Sequence, residues 1–406
     1  MKKIYIWGAG ECFDLVYSAI NCELCIVAGV VDSSKSKWGK NVGDGFTVTS
    51  INELLSADYD YIVISVRNYE AILDKCREME IDDEKIIIFW KSGNVSPYID
   101  YTRVLWDLKR MLEQYKSRWE NLPYEMRMKS GLKIRSAEEL LNAIIFRKVS
   151  LCRFGDGEFE IMRRKERLWY QEVNEALALR LEEVLNSNHE NIIIAIADDF
   201  DSLENYTEEA ADAIRSYLSN GTRREVMELF DPERIYFDAY VSRPYMMYKD
   251  KNHAANIFNL FKTVWNNRNL LIVEGEYSRM GVRNDLFSGA KSIRRILCPP
   301  KNAYDQYGEI LDAVKGGVYG DELVLVSLGP TATILAYDLA RCGIQTLDIG
   351  QIDNEYEWYL RKADERIEIP GKGVAEVRGG REPKGKFEDC DYEKQIITRI
   401  KQVDRE

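Results

Sequence analysis

Two carboxylates separated by a single glycine close an apolar run: Ser150-Leu151-Cys152-Arg153-Phe154 leads into Gly155-Asp156-Gly157-Glu158. The glycines let the backbone turn and approach a ligand closely, and acids at i and i+2 can face one hard cation. Mg²⁺ or Mn²⁺ held by one or two carboxylates completes its shell with substrate phosphates, and Arg153 adds a fork for the same phosphates. A plain Gly-Asp-Gly turn closing a strand is the alternative reading. Other acidic pairs compete for an ion. Asp58 and Asp60 precede a strand pattern and read as a solvated turn, and Asp389 and Asp391 lie in a charged tail. Asp199 and Asp201, directly after the run Ile192 to Ala197, are the serious rival.

Further along, Leu323 to Leu328 is followed by Gly329-Pro330-Thr331-Ala332-Thr333 and the helical pattern Ile334 to Arg341. Strand, tight turn and Thr caps prepare a helix N-terminus for an anion, although an ordinary capped helix shows the same pattern. The stretch Glu274-Gly275-Glu276-Tyr277-Ser278-Arg279-Met280-Gly281, then Asn284-Asp285, has the polar density of a binding loop after an apolar strand. In Asp348 to Trp358, acids and aromatics again follow a strand, and aromatic faces beside carboxylates suit a sugar ring. A buried Trp with solvated acids would look the same. Near the amino terminus Gly8-Ala9-Gly10 follows a strand and opens a helix, and Asp32 stands where a ribose-binding carboxylate would. Phe13 replaces the third glycine of that pattern, so a nucleotide site and a vestigial or regulatory module both remain open.

The elements that must position these residues alternate strand and helix. Strand patterns run over Lys3 to Trp7, Ile26 to Val31, Tyr61 to Val66 and Ile86 to Trp90, with helical spacing in Asp14 to Ile20 and Tyr69 to Met79. Four strands of this kind imply a small parallel, Rossmann-like sheet over residues 1–95. Residues 96–130 contain Pro97 and a long amphipathic stretch from Tyr101 to Trp119, read as a helical linker. A second α/β region, 131–406, carries strand patterns at Val149 to Phe154, Asn191 to Ala197, Arg234 to Phe237, Leu270 to Glu274, Ile293 to Cys298 and Leu323 to Leu328. The tail after Pro370 reads as a loop before a last helix from Tyr392.

Composition bounds the class. A chain of 406 residues with 45% apolar and 31% charged residues is globular, with room for two cores. Its formal charge of −12 gives no general pull toward nucleic acid or anionic membrane, so an anionic ligand needs a local pocket. No apolar run reaches a membrane span and the start is not a signal-peptide core, so a cytoplasmic location is expected. The eight cysteines are scattered and read as free thiols, the Cys22/Cys25 pair included. Two histidines, His189 and His253, sit in polar stretches, which argues against a His-rich metal centre or a Ser-His-Asp triad.

Taken together, RFGDGE (Arg153 to Glu158), SRPY (Ser242 to Tyr245), EGEYSRMGVRNDLF (Glu274 to Phe287), LGPTAT (Leu328 to Thr333) and DIGQIDNEYEW (Asp348 to Trp358) resemble the GT-D-type glycosyltransferases, first described as a domain of unknown function. The resemblance runs in order through about residues 131 to 390. It implies a GT-D-type α/β catalytic domain that moves a hexose, glucose or galactose, from a UDP-sugar to a hydroxyl of a glycan on a surface glycoprotein or cell-surface polysaccharide. Within it, Mn²⁺ or Mg²⁺ would sit on the DxE pair Asp156 and Glu158. Arg153, Gly155, Ser278, Arg279, Asn284 and the turn Gly329, Pro330 and Thr331 would bind donor phosphates and nucleotide. Glu276, Asp285, Asp353 and Glu355 are candidates for acceptor activation or sugar-hydroxyl contacts. Gln351 stands where a His is expected in the family, which leaves the stereochemistry open. The amino-terminal part resembles short nucleotide-binding modules attached to bacterial sugar-modifying enzymes, with Gly8, Gly10 and Asp32 as its nucleotide contacts. Two other readings compete: an NAD-dependent sugar-modifying oxidoreductase built on those three residues, and a non-catalytic nucleotide-sugar-binding assembly protein. Self-association into a homo-oligomer is compatible with each.

Overall fold

The computed structural model describes residues 1–91, 96–165, 171–377, 379–383 and 388–402. The chain divides into two compact units, Met1–Lys116 and Ser117–Glu406, and the division falls within one long helix, Tyr101–Met126.

The first unit is built on six strands: β1 (Lys2–Trp7), β2 (Cys25–Asp32), β3 (Asn41–Val42), β4 (Phe46–Ser50), β5 (Tyr61–Ile64) and β6 (Ile86–Ile88). They lie in the order β3-β4-β2-β1-β5-β6, parallel throughout except for the β3–β4 pair. Both faces of β1 are covered. Ile4 and Ile6 pack with Phe13 and Val16, while Tyr5 and Trp7 pack with Ile72 and Cys76 on the other side. The expected count of four strands is corrected to six. The missed pair flanks Gly43-Asp44-Gly45; β3 has only two residues and β4 buries Val48 alone, so neither carries an apolar run to detect.

The second unit holds nine strands: β7 (Lys133–Arg135), β8 (Ser150–Phe154), β9 (Ile192–Ile196), β10 (Ile235–Asp238), β11 (Asn269–Gly275), β12 (Ser292–Cys298), β13 (Leu323–Ser327), β14 (Thr346–Asp348) and β15 (Ile396–Arg399). Their order is β15-β12-β11-β13-β14-β8-β9-β10-β7, and every pairing is parallel. Sequences such as Ile192–Ile196 and Leu323–Ser327 read as continuous apolar runs because helices cover both faces of the sheet. Leu151, Ile193 and Ala195 meet the helices Ala137–Arg147 and Lys251–Trp265. Cys152, Phe154, Ile194 and Ile196 meet Glu175–Leu185, Glu208–Leu218 and Pro330–Arg341 on the opposite face. From β11 the chain passes outward to β12, whereas from β13 it passes inward to β14. Adjacent connections therefore diverge, which opens a crevice at the carboxyl ends of the strands.

The carboxyl-terminal reading is corrected. The last helix spans only Cys390–Gln395, and the Ile396–Arg399 segment is an edge strand on β12. Its β-branched run Ile396-Ile397-Thr398 favours that pairing over helix. Of the expected tail loop, residues 378 and 384–387 lie outside the described residues. All eight cysteines are free thiols, with Cys22 exposed and Cys25 buried.

One ion pair ties β11 to β12 inside the core. Glu274 and Arg295 are 0% and 2% exposed, with Arg295 Nη1 2.5 Å from Glu274 Oε1. The Met280 amide donates to the other Glu274 oxygen at 2.7 Å. Burial pushes the Glu274 carboxyl up, against the pull of Arg295. Arg295→Leu strands that carboxyl without its cation and should cost about 3–5 kcal/mol in urea unfolding at neutral pH. A loss below about 1 kcal/mol, the range of an exposed pair, would show that the pair holds nothing together.

Candidate active site

The loops at the carboxyl ends of β8 to β14 enclose a cavity of about 670 Å³, the size of a small-molecule site. Its wall is organised by Arg153 on β8. Arg153 Nε donates to the Asp348 carbonyl at 3.0 Å, Nη2 donates to Asp348 Oδ1 at 2.9 Å, and Nη1 donates to the Ala239 carbonyl at 3.3 Å. One guanidinium thus joins the ends of β8 and β14 to the turn after β10. Thr333 donates its hydroxyl to the Arg153 carbonyl and to Asp348 Oδ2, at 2.9 and 3.3 Å, and the Gly350 amide donates to Asp348 Oδ1 at 3.1 Å. Gly350 has φ +47, and a Cβ there would lie 2.1 Å from Arg153 Nη2, so only glycine lets the backbone pass the guanidinium.

The Asp156 and Glu158 pair begins a helix, Asp156–Met162, rather than standing on an extended turn. Gly155 is its N-cap, and Glu158 folds back to accept the Gly155 amide at 2.8 Å. Two acids in the first turn suit the positive end of a helix. Asp156 is exposed at the cavity and Glu158 is partly accessible there. Glu158 nonetheless lies deep enough that desolvation pushes its carboxyl up to about 7, with the Asp348 charge adding to the shift. Among the described residues no three His, Cys, Asp or Glu side chains gather at metal-ligand spacing. Two hard oxygen donors facing a cavity fit an ion of the Mg²⁺ or Mn²⁺ type, which takes its other ligands from water and phosphate.

The rival acids separate. Asp201 is held by the Ser130 amide and hydroxyl at 2.6 and 3.0 Å, outside the cavity wall. Asp199 lines the cavity, is 3% exposed, and accepts the Tyr240 hydroxyl on Oδ2 at 2.7 Å. Its Oδ1 has no partner, and burial pushes its carboxyl up to about 6. Six buried side-chain polar atoms lack partners among the described residues, and three of them, Asp199 Oδ1, Tyr217 Oη and Ser242 Oγ, belong to residues lining this cavity. Such a concentration marks where a polar ligand or water belongs. Asp58 and Asp60 pair with Lys3 and Lys2 on the surface of the first unit.

The structure brings Arg153, Gly155, Asp156, Glu158, Ser278, Gly329 and Asp353 to the cavity wall. Gly329, at φ +54, caps the helix Pro330–Arg341 and is exposed there, while Pro330 and Thr331 are buried behind it. Asp353 has both oxygens engaged: Oδ1 accepts the Gly281 amide and Asn284 Nδ2 at 2.8 Å each, and Oδ2 accepts Lys372 Nζ at 2.6 Å. Glu276, Arg279, Asn284, Asp285 and Glu355 do not line the cavity. Arg279 donates to the Gly371 carbonyl, Asn284 braces Asp353 and Glu357, and Asp285 accepts Lys262 and Tyr356 on the surface. Glu355 accepts the Tyr245 and Met246 amides at 2.8 and 2.9 Å. Gln351 lines the cavity in the place where the resemblance expects a His. In the first unit, Asp32 accepts the Ala9 and Ser34 amides at 2.8 Å each and Lys37 Nζ at 2.9 Å. Burial would raise its carboxyl, but these donors hold it below the usual range. The loop of Gly8 and Gly10 is thereby tied to Asp32 through its own amide.

Sequence reasoning assigned no role to Tyr217, Tyr240, Ser242, Arg243, Lys301, Arg366 or Glu376, all at the cavity. Arg243 and Arg366 flank Glu376, the latter at 2.8 Å. Burial alone would raise the Glu376 carboxyl, and the two guanidiniums hold it down. Arg243 and Ser242 lay within the SRPY segment, which was the available signal.

An open, all-parallel sheet with a polar cavity at its carboxyl edge defines an α/β ligand-binding domain. Comparison with known proteins narrows that class. The family model of the glycosyltransferase GT-D fold matches residues 151–377, and a model described as C2185-like, N-terminal matches residues 1–87. The chain belongs to the GT-D-fold glycosyltransferase family. It is 36% identical over 272 residues to the probable glycosyl transferase Gly of Streptococcus gordonii, across 67% of this chain and 39% of that protein. It is 34% identical over 272 residues to glycosyltransferase GlyD of Streptococcus pneumoniae serotype 4, across 66% of this chain and 33% of that protein. The chain thus matches only 33–39% of these relatives' lengths. A solved structure of domain of unknown function 1792, described as having a distinct glycosyltransferase fold, aligns with TM-score 0.63 and 34% identity over 71% of this chain and 100% of its own. A glycosyltransferase structure from Streptococcus sanguinis aligns with TM-score 0.62 and 34% identity over 66% and 100%.

Beside the cavity, Asp238 ends β10 with 5% exposure, accepting the Tyr240 amide at 2.7 Å and the Tyr248 hydroxyl at 3.3 Å. Burial, reinforced by the Asp198 charge, pushes its carboxyl up to about 8. Between about pH 4 and pH 8 the folded chain keeps this proton and the unfolded chain releases it. Stability is therefore full at the acid end of that window and falls as pH rises. Asp238→Asn should remove on the order of 2–4 kcal/mol of the decline between pH 5 and pH 8. Denaturation curves of equal slope against pH in the two proteins would show that Asp238 ionises freely.

Proposed function

We propose that this chain is a glycosyltransferase that moves a hexose, glucose or galactose, from a UDP-sugar to a hydroxyl of a glycan on a surface glycoprotein or cell-surface polysaccharide. The catalytic module would be residues 131–406, joined through 96–130 to an amino-terminal module, 1–95. The observation that carries the sugar reading is the set of partnerless buried atoms, Asp199 Oδ1, Tyr217 Oη and Ser242 Oγ, on residues of one cavity wall. A hydroxyl-rich ring supplies the hydrogen bonds these atoms lack.

Asp156 and Glu158 would hold the divalent ion, which when bound offsets negative charge on the donor diphosphate. Lys301, Arg243 and the amide end of the helix behind Gly329 would orient the same phosphates. Asp199 is the buried wall carboxylate with an oxygen to spare, since Asp348 and Asp353 spend theirs on internal donors. It would accept a hydroxyl proton or hydrogen-bond a sugar hydroxyl, and its raised carboxyl suits proton transfer near neutrality. Of the four acids first considered for acceptor activation, Asp353 alone stands at the wall.

The test uses UDP-glucose and UDP-galactose with Mn²⁺ and a glycan acceptor. Asp156→Asn and Glu158→Gln keep side-chain size while removing charge, so turnover should fall by about 100-fold or more with folding stability little changed. Asp201→Asn is the control, because Asp201 only braces Ser130. Full transfer by both cavity variants would overturn the metal assignment. Failure of every UDP-, GDP- and CDP-sugar, with or without Mn²⁺, to raise the melting temperature would overturn the donor class.

A further inference from the structure

The loop after β9 holds Asp199 by its neighbours on both sides. The Tyr206 hydroxyl donates to the Asp198 carbonyl at 2.6 Å, and Arg223 Nη1 donates to the Phe200 carbonyl at 2.5 Å. Arg223 is fixed in turn by the buried Asn121, whose Oδ1 accepts Nη2 at 2.8 Å. With the carbonyls before and after it pinned, Asp199 keeps one freedom, rotation of its side chain. The Tyr240 hydroxyl removes that freedom by donating to Asp199 Oδ2 at 2.7 Å. Tyr240 is itself set from three directions. It lies on the short turn Ala239–Ser242 after β10, where Asp238 Oδ1 accepts its amide at 2.7 Å. Arg153 Nη1 holds the preceding carbonyl, that of Ala239, at 3.3 Å. The Tyr206 ring meets the Tyr240 ring edge to face, with centroids 5.9 Å apart. Tyr206 therefore braces both members of the Tyr240–Asp199 pair.

We infer that Tyr240 is a positioning residue for transfer: it holds Asp199 Oδ2 so that Oδ1, the oxygen without a partner, is the one presented to a substrate hydroxyl. The inference rests on the reading of Asp199 as the wall carboxylate that meets the substrate. A tyrosine hydroxyl carries a single hydrogen, and this one is spent on Asp199, so Tyr240 has none to donate to a ligand although it lines the cavity. Tyr217 and Ser242, on the same wall, are in the opposite state, with hydroxyls that no protein group engages. Their place is at the substrate, whereas that of Tyr240 is behind the residue that touches it. Without the Tyr240 bond, either oxygen of Asp199 could turn away from the reacting hydroxyl, and a small misplacement of a group at the reacting centre is expensive in rate.

The test measures release of UDP by the full chain from UDP-glucose and UDP-galactose, with Mn²⁺ and a glycan acceptor. Asp199→Ala should lower kcat/KM by about 100-fold, and Tyr240→Phe, which deletes one oxygen atom, by about 10-fold. The loss in Tyr240→Phe should fall on the same parameter, kcat or KM, as the loss in Asp199→Ala. In the Asp199→Ala background, Tyr240→Phe should change nothing further, because it acts only through the carboxylate. Should Asp199→Ala fail to fold, Asp199→Ser, which also lacks the carboxylate, takes its place. Tyr307→Phe deletes a comparable bond, 2.5 Å to Asp338, between residues that do not line the cavity, and should leave kcat/KM within about twofold. Unimpaired transfer by Tyr240→Phe, an equal loss in the Asp199→Ala background, or an equal loss in Tyr307→Phe would each overturn the positioning role while leaving Asp199 in place. Unimpaired transfer by Asp199→Ala, or no UDP release by the unaltered chain, would instead overturn the reading on which the inference rests, and the inference with it.

Discussion

The second unit depends on one guanidinium. Parallel strands offer no side-to-side covalent link at their carboxyl ends, and the loops that leave them would otherwise be set by loop entropy alone. Arg153 replaces that freedom with fixed geometry by spending three donors on β14 and the turn after β10. Asp348 answers with both oxygens, drawing in Thr333 from the next helix and the Gly350 amide. A charged group at so many junctions is tolerable in a buried site because the pair is fully hydrogen-bonded. The same arrangement makes Arg153 as much a strut for the cavity as a contact within it, since its carboxylate partner already neutralises its charge.

The remaining polar groups divide by whether the fold has already used them. Asp353, Glu357, Lys372 and Asn284 form a closed network, and Glu274 with Arg295 forms another. These stabilise the loops after β11 and β14 and leave little capacity for a ligand. Asp199, Tyr217 and Ser242 instead keep buried atoms without partners, at a cost on the order of 1–3 kcal/mol each if they stayed so. Unused capacity, rather than polarity as such, distinguishes the part of the wall shaped for a substrate.

Much of this was legible in the sequence, and the limits have physical causes. The continuous apolar runs of β9, β11 and β13 announce a doubly covered parallel sheet, because burial on both faces leaves no alternation to misread. The three-residue strand β7, and β15 at the edge, escape because pairing partners far along the chain decide them. The Gly155-to-Glu158 segment pointed to the cavity from composition alone, yet its conformation was misjudged. Acids after a glycine begin a helix as readily as they close a turn, and only the Gly155 amide bond to Glu158 shows which occurred. Glu276 and Asp285 drew attention within a polar loop after a strand, and Glu355 as an acid beside aromatics. Whether an acid faces a cavity or a backbone amide is a tertiary fact, and one helical residue of rotation separates Asp353 and Asn354 at the wall from Glu355 behind it.

The donor proposed here is an anion that would enter an acidic chain, so the local charge balance of the wall matters more than the count of basic residues. Arg153 is matched by Asp348, and Arg243 and Arg366 share Glu376. Lys301 lies at the wall and has no ion pair among the described residues. Against it stand Asp156, exposed in the first turn of its helix, and Glu158, whose carboxyl burial raises to about 7. A diphosphate brought to this wall as it stands would meet fixed carboxylates as well as cations. The cavity therefore makes electrostatic sense for a nucleotide sugar only if the two acids face positive charge brought from solution, which is the work two hard oxygens at the mouth of a phosphate site are suited to do.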